Sequence, residues 1–138
     1  MTISADSLIA DWYAVLKSGS AGATVRAALG NGAASVITAD DLRVESLPAA
    51  PCVALRVETI AGTPQREAER LYLSWWAYDD VPRRYSRLTP LIAQITAAYP
   101  ELTALAYAHV RRATVAYTID RALGARPAVR IPFVISWR

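Results

Sequence analysis

Apolar residues alternate with more polar ones in four segments of the chain, and a period of two residues predicts β-strands. The clearest segment closes the sequence, with an apolar residue at every odd position from Val129 to Trp137. The pattern places the other three strands over Cys52 to Ile60, about Glu67 to Tyr78, and Tyr107 to Ile119. Turn-forming glycine and proline residues separate the first strand from the second and the third from the fourth, so the sequence predicts two antiparallel hairpins.

Helical spacing of apolar residues marks two further segments. The first runs from Leu8 to Leu16 and predicts an N-terminal helix over residues 5–17. Residues 18–50 are less regular. Within them the pattern indicates helical turns at Thr24–Leu29 and short strand segments at Val36–Thr38 and Leu42–Val44.

The second helical segment lies between the two hairpins, from Leu88 to Tyr99. Asp79 and Asp80 precede it and offer an N-terminal cap, because aspartate accepts hydrogen bonds from the free N–H groups of a first helical turn. Pro90 falls inside the apolar pattern and has no N–H to donate. The helix is therefore expected either to kink at Pro90 or to begin anew with Thr89 as its cap and Pro90 at its first position.

The order of elements is helix, irregular segment, hairpin, helix and hairpin. It predicts an α+β fold, in which an antiparallel sheet of two hairpins with strands of mixed length carries helices on one face. The chain of 138 residues fits one domain over residues 1–138, with a sheet and helix core over 47–138. The N-terminus lacks a signal-peptide pattern, and no apolar segment reaches the roughly 20 residues that span a bilayer. We therefore expect a soluble protein made in the cytoplasm.

Residues that could carry catalysis are few. Cys52 is the only cysteine and begins an apolar strand, which favours a buried structural thiol over a nucleophile. His109 is the only histidine, and the nearby Arg111 and Arg112 would weaken it as a general base. Asp79–Asp80 is better explained by helix capping than by acid–base chemistry, and no glycine motif for nucleotides is present. The sequence therefore predicts no enzyme, no metal and no cofactor.

The chain has a net charge of +3, from 14 arginines and one lysine against 12 acidic residues. The simplest interpretation of the high arginine content is that the arginines lie on solvated faces. The more specific alternative is that arginine was selected for ion pairs at interfaces. The segments Arg83–Arg87 and Arg111–Arg112 leave nucleic-acid binding as a less favoured alternative. A mean hydropathy of +0.20 indicates apolar surface that partners would cover.

Four parts of the chain share a further pattern. They are Leu47–Pro48 followed by Cys52–Leu55, the strand segment Leu71–Ala77, the helix segment Leu91–Ile95, and the terminal segment Ile131–Trp137. In this pattern a leucine–proline pair leads into a strand, a strand ends near a tryptophan–alanine pair before a helix, and the last strand carries phenylalanine and then tryptophan. The pattern resembles the tail-terminator and neck proteins of long-tailed bacteriophages, over about two thirds of the chain.

The resemblance implies a structural virion protein of the tail or neck, without catalytic residues, that assembles in the host cytoplasm. It implies a homo-oligomer, expected to be a hexameric ring, that caps the tail tube. Its partners would be the tail-tube protein and head-connector or neck proteins, with DNA only as cargo passing through the lumen and no membrane.

Two features depart from the family's pattern, the Thr89–Pro90 pair and the irregular residues 18–50. They leave open the role of a head-completion or connector protein of the neck. A small ligand-binding α+β protein, with a pocket between sheet and helix around Trp75, Trp76 and Tyr99, is the alternative from another class.

Polar and aromatic positions on the predicted strands are the candidates for contacts with subunits or partners. Arginine suits interface ion pairs, and aromatic residues are enriched at interfaces. The candidates are Arg66, Arg70, Trp76, Tyr78, Arg111, Arg112 and Arg130.

Overall fold

Three helices and six strands make up the described chain. The computed structural model describes residues 5–63, 66–99 and 109–136, and for residues 62–63 and 66–69 it describes the backbone alone. The helices are α1 (Ala5–Lys17), α2 (Ala23–Ala28) and α3 (Thr89–Ala98). The strands are β1 (Val36–Thr38), β2 (Cys52–Thr63), β3 (Arg66–Tyr78), β4 (His109–Arg112), β5 (Ala116–Asp120) and β6 (Arg126–Ser136). The predicted N-terminal helix over residues 5–17 is confirmed.

All six strands belong to one sheet. Its order is β1, β2, β3, β6, and both β4 and β5 pair with the outer side of β6. Every pairing is antiparallel except that of β1 with β2, which is parallel. The α+β class is therefore confirmed, and β1 adds a parallel edge strand to the predicted hairpins.

The second short strand segment, Leu42–Val44, was predicted wrongly. Leu42 follows one 3-10 turn, and Val44 begins another. Leu42 packs instead against the sheet face that faces away from the helices, together with Cys52 and Tyr78. The half-buried Leu42 therefore lies between two 3-10 turns and belongs to no strand.

An aromatic cluster joins the helices to the centre of the sheet. Trp12 of α1 stacks on Tyr99, which follows α3, with ring centroids 3.7 Å apart. The Tyr99 hydroxyl accepts a hydrogen bond from Trp75 Nε1 of β3 (2.9 Å) and donates one to the Trp12 carbonyl oxygen (2.5 Å). Phe133 of β6 packs edge-on against Trp12. The cluster anchors both helices on the same face of the two central strands.

The strand predicted over Tyr107 to Ile119 is interrupted. β4 and β5 pair with different parts of β6, and the residues between them leave the ladder opposite Pro132. The Pro132 carbonyl accepts a hydrogen bond from Ala113 N (2.8 Å), but proline has no N–H to return. The missing donor explains why the neighbouring strand breaks here. The start of the prediction, up to residue 108, and Trp137 at the end of the last strand lie outside the described residues.

The predicted cap of the second helix was also wrong. α3 begins at Thr89, with Pro90 in its first turn and Leu88 at the cap position. The helix therefore begins beside the proline and does not kink there. Asp79 lies ten residues earlier and is fully buried. Its carboxylate accepts hydrogen bonds from Arg87 Nε (2.9 Å), Arg87 Nη2 and the Asp80 backbone N–H (2.8 Å). It therefore ties the end of β3 to the loop before α3.

Replacing Asp79 with asparagine tests the hydrogen bonds to its carboxylate and should cause a pH-dependent loss of stability. Burial disfavours the charged form, but the hydrogen bonds from Arg87 and Asp80 outweigh it and lower the pKa of Asp79 to about 2. A lowered folded-state pKa stabilises the fold above about pH 4, and that contribution disappears as the pH falls from 4 towards 2. We expect Asp79→Asn to lower the free energy of unfolding by about 2 kcal/mol at pH 7, measured by urea denaturation.

The control for this experiment is Asp80→Asn, which changes the exposed neighbouring carboxylate and should have a much smaller effect. The difference between wild type and Asp79→Asn should shrink below pH 4. A difference that stays constant down to pH 2 would contradict the assignment.

Candidate functional site

The sheet face opposite the helices is closed at one end by a small apolar cluster. Its buried members are Cys52, Ala54, Tyr78, Leu123 and Ala128. Beyond this cluster the face carries charged and aromatic side chains that bind one another. These contacts form two sets, each of which crosses several strands.

The first set centres on Arg56 of β2. Arg56 Nη2 donates hydrogen bonds to the Tyr78 hydroxyl (2.6 Å) and to Asp120 Oδ2 (3.0 Å). The Tyr78 hydroxyl donates to the same carboxylate oxygen (3.0 Å). The guanidinium also lies 4.5 Å from the centre of the Trp76 ring, within the range of a cation–π contact. This set links β2 to the end of β5, across β3 and β6.

The second set centres on Glu58, which lies in a bulge of β2. Arg130 of β6 donates two hydrogen bonds to its carboxylate, from Nε to Oε1 (2.7 Å) and from Nη2 to Oε2 (2.5 Å). The Ser74 hydroxyl donates to Oε1 (2.5 Å) and accepts a hydrogen bond from Trp76 Nε1 (3.1 Å). Paired hydrogen bonds between arginine and a carboxylate are geometrically specific, so this set fixes β2 relative to β6.

Hydrogen bonding and burial shift the pKa values of Glu58, Tyr78 and Cys52. Hydrogen bonds from Arg130 are the largest cause that lowers the pKa of Glu58. Burial raises the pKa of Tyr78 above its ordinary value and raises that of Cys52 to about 11. The hydrogen bonds of the two sets join strands across the sheet, and Cys52 is buried, as the sequence predicted.

Within residues 5–63, 66–99 and 109–136 no three His, Cys, Asp or Glu side chains are grouped so as to hold a metal ion. None of the helices described there is long and apolar enough to cross a membrane. His109 is exposed at the start of β4, far along the sheet from the buried Asp79.

Each side of the sheet has an unpaired strand edge within the described residues. β1 pairs with β2 only from Val53 to Leu55, and β2 continues to Thr63 with no strand beside it on that side. β4 and β5 form the opposite edge. Such edges expose N–H and C=O groups that can pair with another chain.

Both edges also expose large apolar side chains. The exposed fractions are 43% for Val57 and 47% for Ile60 on β2, and 51% for Tyr117 and 46% for Ile119 on β5. Val57, Ile60 and Tyr117 pair across strands with core residues of the face that carries the helices. Ile119 follows Tyr117 by two residues and therefore shares its face. The two edges thus present apolar surface on the same side of the sheet.

A notch opens where β1 ends beside β2. After Thr38 the chain turns away through a 3-10 turn, and a cavity of about 330 Å³ lies between this turn, β2 and α1. Its lining residues are Ile9, Thr38, Ala39, Asp40, Leu55 and Val57. The walls are mostly apolar, and Asp40 is the one charged residue among them.

The sequence-predicted interface candidates fall into different places. Arg70 is exposed on the face away from the helices, while Arg111 and Arg112 are exposed on the edge strand β4. Arg130 is paired with Glu58. Trp76 is half-buried beside Arg56, Tyr78 is fully buried within the subunit, and the side chain of Arg66 lies outside the described residues. A contact of any of these residues with a neighbouring subunit remains a prediction.

Sequence reasoning missed the apolar edge residues and the notch. Val57 shares the strand pattern of Val53 and Leu55, which places it on the same face of the sheet. It lies on that face but is exposed, because β1 ends at the level of Leu55. Residue patterns report which face a side chain occupies, and they do not report how far the neighbouring strand extends.

Comparison of the sequence with known protein families and with curated proteins finds no match. The function is therefore inferred from the sheet edges and from the resemblance of the sequence segments described above.

Replacing Glu58 with glutamine tests the set that crosses from β2 to β6. The variant keeps the shape of the side chain but loses the charge that Arg130 and Ser74 bind. We expect the free energy of unfolding to fall by about 1 kcal/mol at pH 7, measured by urea denaturation. Glu58→Gln combined with Arg130→Gln should cost less than the sum of the two single changes, and strict additivity would show that the pair is not coupled.

Proposed function

We propose that the protein is a structural subunit that closes into a ring through the two edges of its sheet, and that this ring caps a phage tail tube at the head–tail interface. The observation that supports the ring is that, among the strands described in residues 5–63, 66–99 and 109–136, the sheet has an unpaired edge on each side. A head-to-tail contact between different edges gives a closed ring when the rotation between copies closes.

Strand directions suit such a contact. β2, β3, β6 and the outer pair β4 and β5 alternate in direction across the sheet, so the outer pair runs opposite to β2. A rotation about an axis along the strands keeps each strand's direction. Because β1 runs parallel to β2, the outer strands of one copy would meet the edge formed by β1 and β2 of the next in antiparallel orientation, which is the common pairing in sheets.

The apolar edge residues also suit it. Because Val57 and Ile60 share a face with Tyr117 and Ile119, the same rotation brings both pairs to one side of the extended sheet. Their burial between copies would remove apolar surface from water. Ring closure would also leave no sheet edge free, which is the way in which closed assemblies avoid uncontrolled association.

The tail-tube role rests on the resemblance to tail-terminator and neck proteins. In that role the partners are the tail-tube protein on one side and head-connector or neck proteins on the other, with about six copies in the ring and DNA as passing cargo. The same ring geometry would serve a connector of the neck, and the two roles differ in which neighbour the ring binds.

The pocket proposed for a ligand-binding alternative has less support. Trp75 and Tyr99 are buried and hydrogen-bonded to each other in the core. Trp76 lies on the opposite face of the sheet, beside Arg56. The three aromatic residues therefore do not line one common cavity.

Light scattering after size exclusion tests the ring. We expect purified protein to reach a mass about six times that of the 15.0 kDa subunit, with rings visible by negative-stain microscopy. Ile60→Lys or Ile119→Lys should shift the protein towards the monomer, because each places a charge on an apolar edge. Val81→Lys, at a similarly exposed apolar residue in the loop after β3, is the matched control.

Edge variants that assemble like the wild type would contradict the edge contact, and a wild type that stays monomeric at high concentration would contradict the ring. The tail role is tested separately by cosedimentation of the assembled protein with polymerised tail tubes. Sedimentation with connector rings and not with tubes would favour the neck role.

A further inference from the structure

The notch beside β2 has the form of a missing strand. β1 lies alongside β2 only as far as the level of Leu55, and the notch begins there. β2 runs on for eight residues, from Arg56 to Thr63, with one side unpaired within the described chain. A strand that continued from the end of β1 would fill this space and pair with β2.

The sheet register shows which part of the opposite edge lies at the same height. Val57 pairs with Leu73, Leu73 with Phe133, and Phe133 with Arg112. One row of residues therefore runs across the sheet from Val57 at the notch to Arg112 on β4.

A second row confirms the alignment. Ile60 is linked in the same way, through Leu71 and Ile135, to Val110 of β4. β5 lies lower, and its Tyr117 is level with Val129, Ala77 and Val53, where β1 already covers β2. Thus β4 is the outer strand at the height of the notch.

Rotation about an axis along the strands moves no residue along that axis, so heights are preserved from copy to copy. We propose that β4 of a second copy docks in the notch as an antiparallel neighbour of β2, with its Arg112 beside Asp40 and its Val110 beside Ile60. This contact rests on the proposed ring and assigns the residues that form its joint.

Charge on the two edges supports this occupant. Asp40 lines the notch, and both it and the adjacent Asp41 are exposed. Arg111 and Arg112 are exposed on β4. Within the described residues none of these four side chains forms an ion pair inside the subunit.

The faces agree as well. Arg112 pairs with Phe133 of the core and therefore lies on the face that carries the helices. The notch opens on the same face, because Ile9 of α1 and Val57 both line it. Val110 is half-buried against the core and would be covered further by the exposed Ile60 of the neighbouring copy.

Charge reversal across the joint provides the test. Asp40→Arg would set two arginines against each other at every joint, and Arg112→Asp would set two aspartates. We expect each single variant to raise the dissociation constant of the assembly on the order of tenfold or more, measured by light scattering over a concentration series. Both residues are exposed, so the monomers should keep the wild-type circular dichroism and unfolding midpoint.

Two rescues distinguish the joint from a general effect of charge. The double variant Asp40→Arg with Arg112→Asp should assemble again, because every joint regains opposite charges. An equimolar mixture of the two single variants should also assemble, in alternating order, more tightly than either variant alone. This second rescue occurs only if position 40 of one copy meets position 112 of another.

Matched controls reverse charges elsewhere. Asp11→Arg changes an exposed residue of α1 about 200° around the helix from Ile9, and Arg83→Asp changes an exposed residue in the loop before α3. Both should assemble like the wild type. If the wild type assembles but the single variants assemble equally well, or if neither rescue works, the joint is wrong while the ring stands. If the wild type does not assemble at all, the ring itself is contradicted.

Discussion

The contact of Trp12, Tyr99 and Trp75 sets the layout of the whole chain. The Tyr99 hydroxyl accepts a hydrogen bond from Trp75 and donates one to the backbone of Trp12. These two bonds fix the end of α3 against both β3 and α1. Because these groups are buried, losing one bond would leave a polar atom without water or a partner. The helices therefore lie on one face of the sheet. The opposite face is covered by other contacts.

The second face is protected by ionic and aromatic contacts within the chain. Arg56 and Arg130 lie across the sheet and reach acidic partners two or more strands away. Their aliphatic stems cover apolar surface while their charged ends bind carboxylates, which is a common use of long cationic side chains. At Arg56 and Arg130 the arginine therefore has a structural role within the chain. Arg111 and Arg112 differ from these two, because they are exposed on a sheet edge.

The sheet has an incomplete edge where β1 ends beside β2. α1 leads through a 3-10 turn, α2 and a second 3-10 turn into β1, which is only three residues long, while the hairpin of β2 and β3 has strands of 12 and 13 residues. The hairpin therefore extends beyond β1 and exposes the edge of β2. A protein that stays monomeric would normally shorten such an edge or cover it.

The alternation of apolar residues determined by itself the hairpin of β2 and β3, the last strand and the side of each strand that meets the core, because side-chain direction in a strand follows sequence position alone. Together with the helical periods it determined the α+β class. The helix over residues 5–17 followed in the same way from its 3.6-residue period. Only tertiary structure decided that Asp79 binds Arg87 and does not cap α3, that Pro132 breaks the strand beside it, and that β1 stops short of Val57. These outcomes depend on which residues far apart in sequence become neighbours, and a local period carries no information about that. The candidate joint was hidden from the sequence for the same reason, since its two halves lie on opposite edges of the sheet.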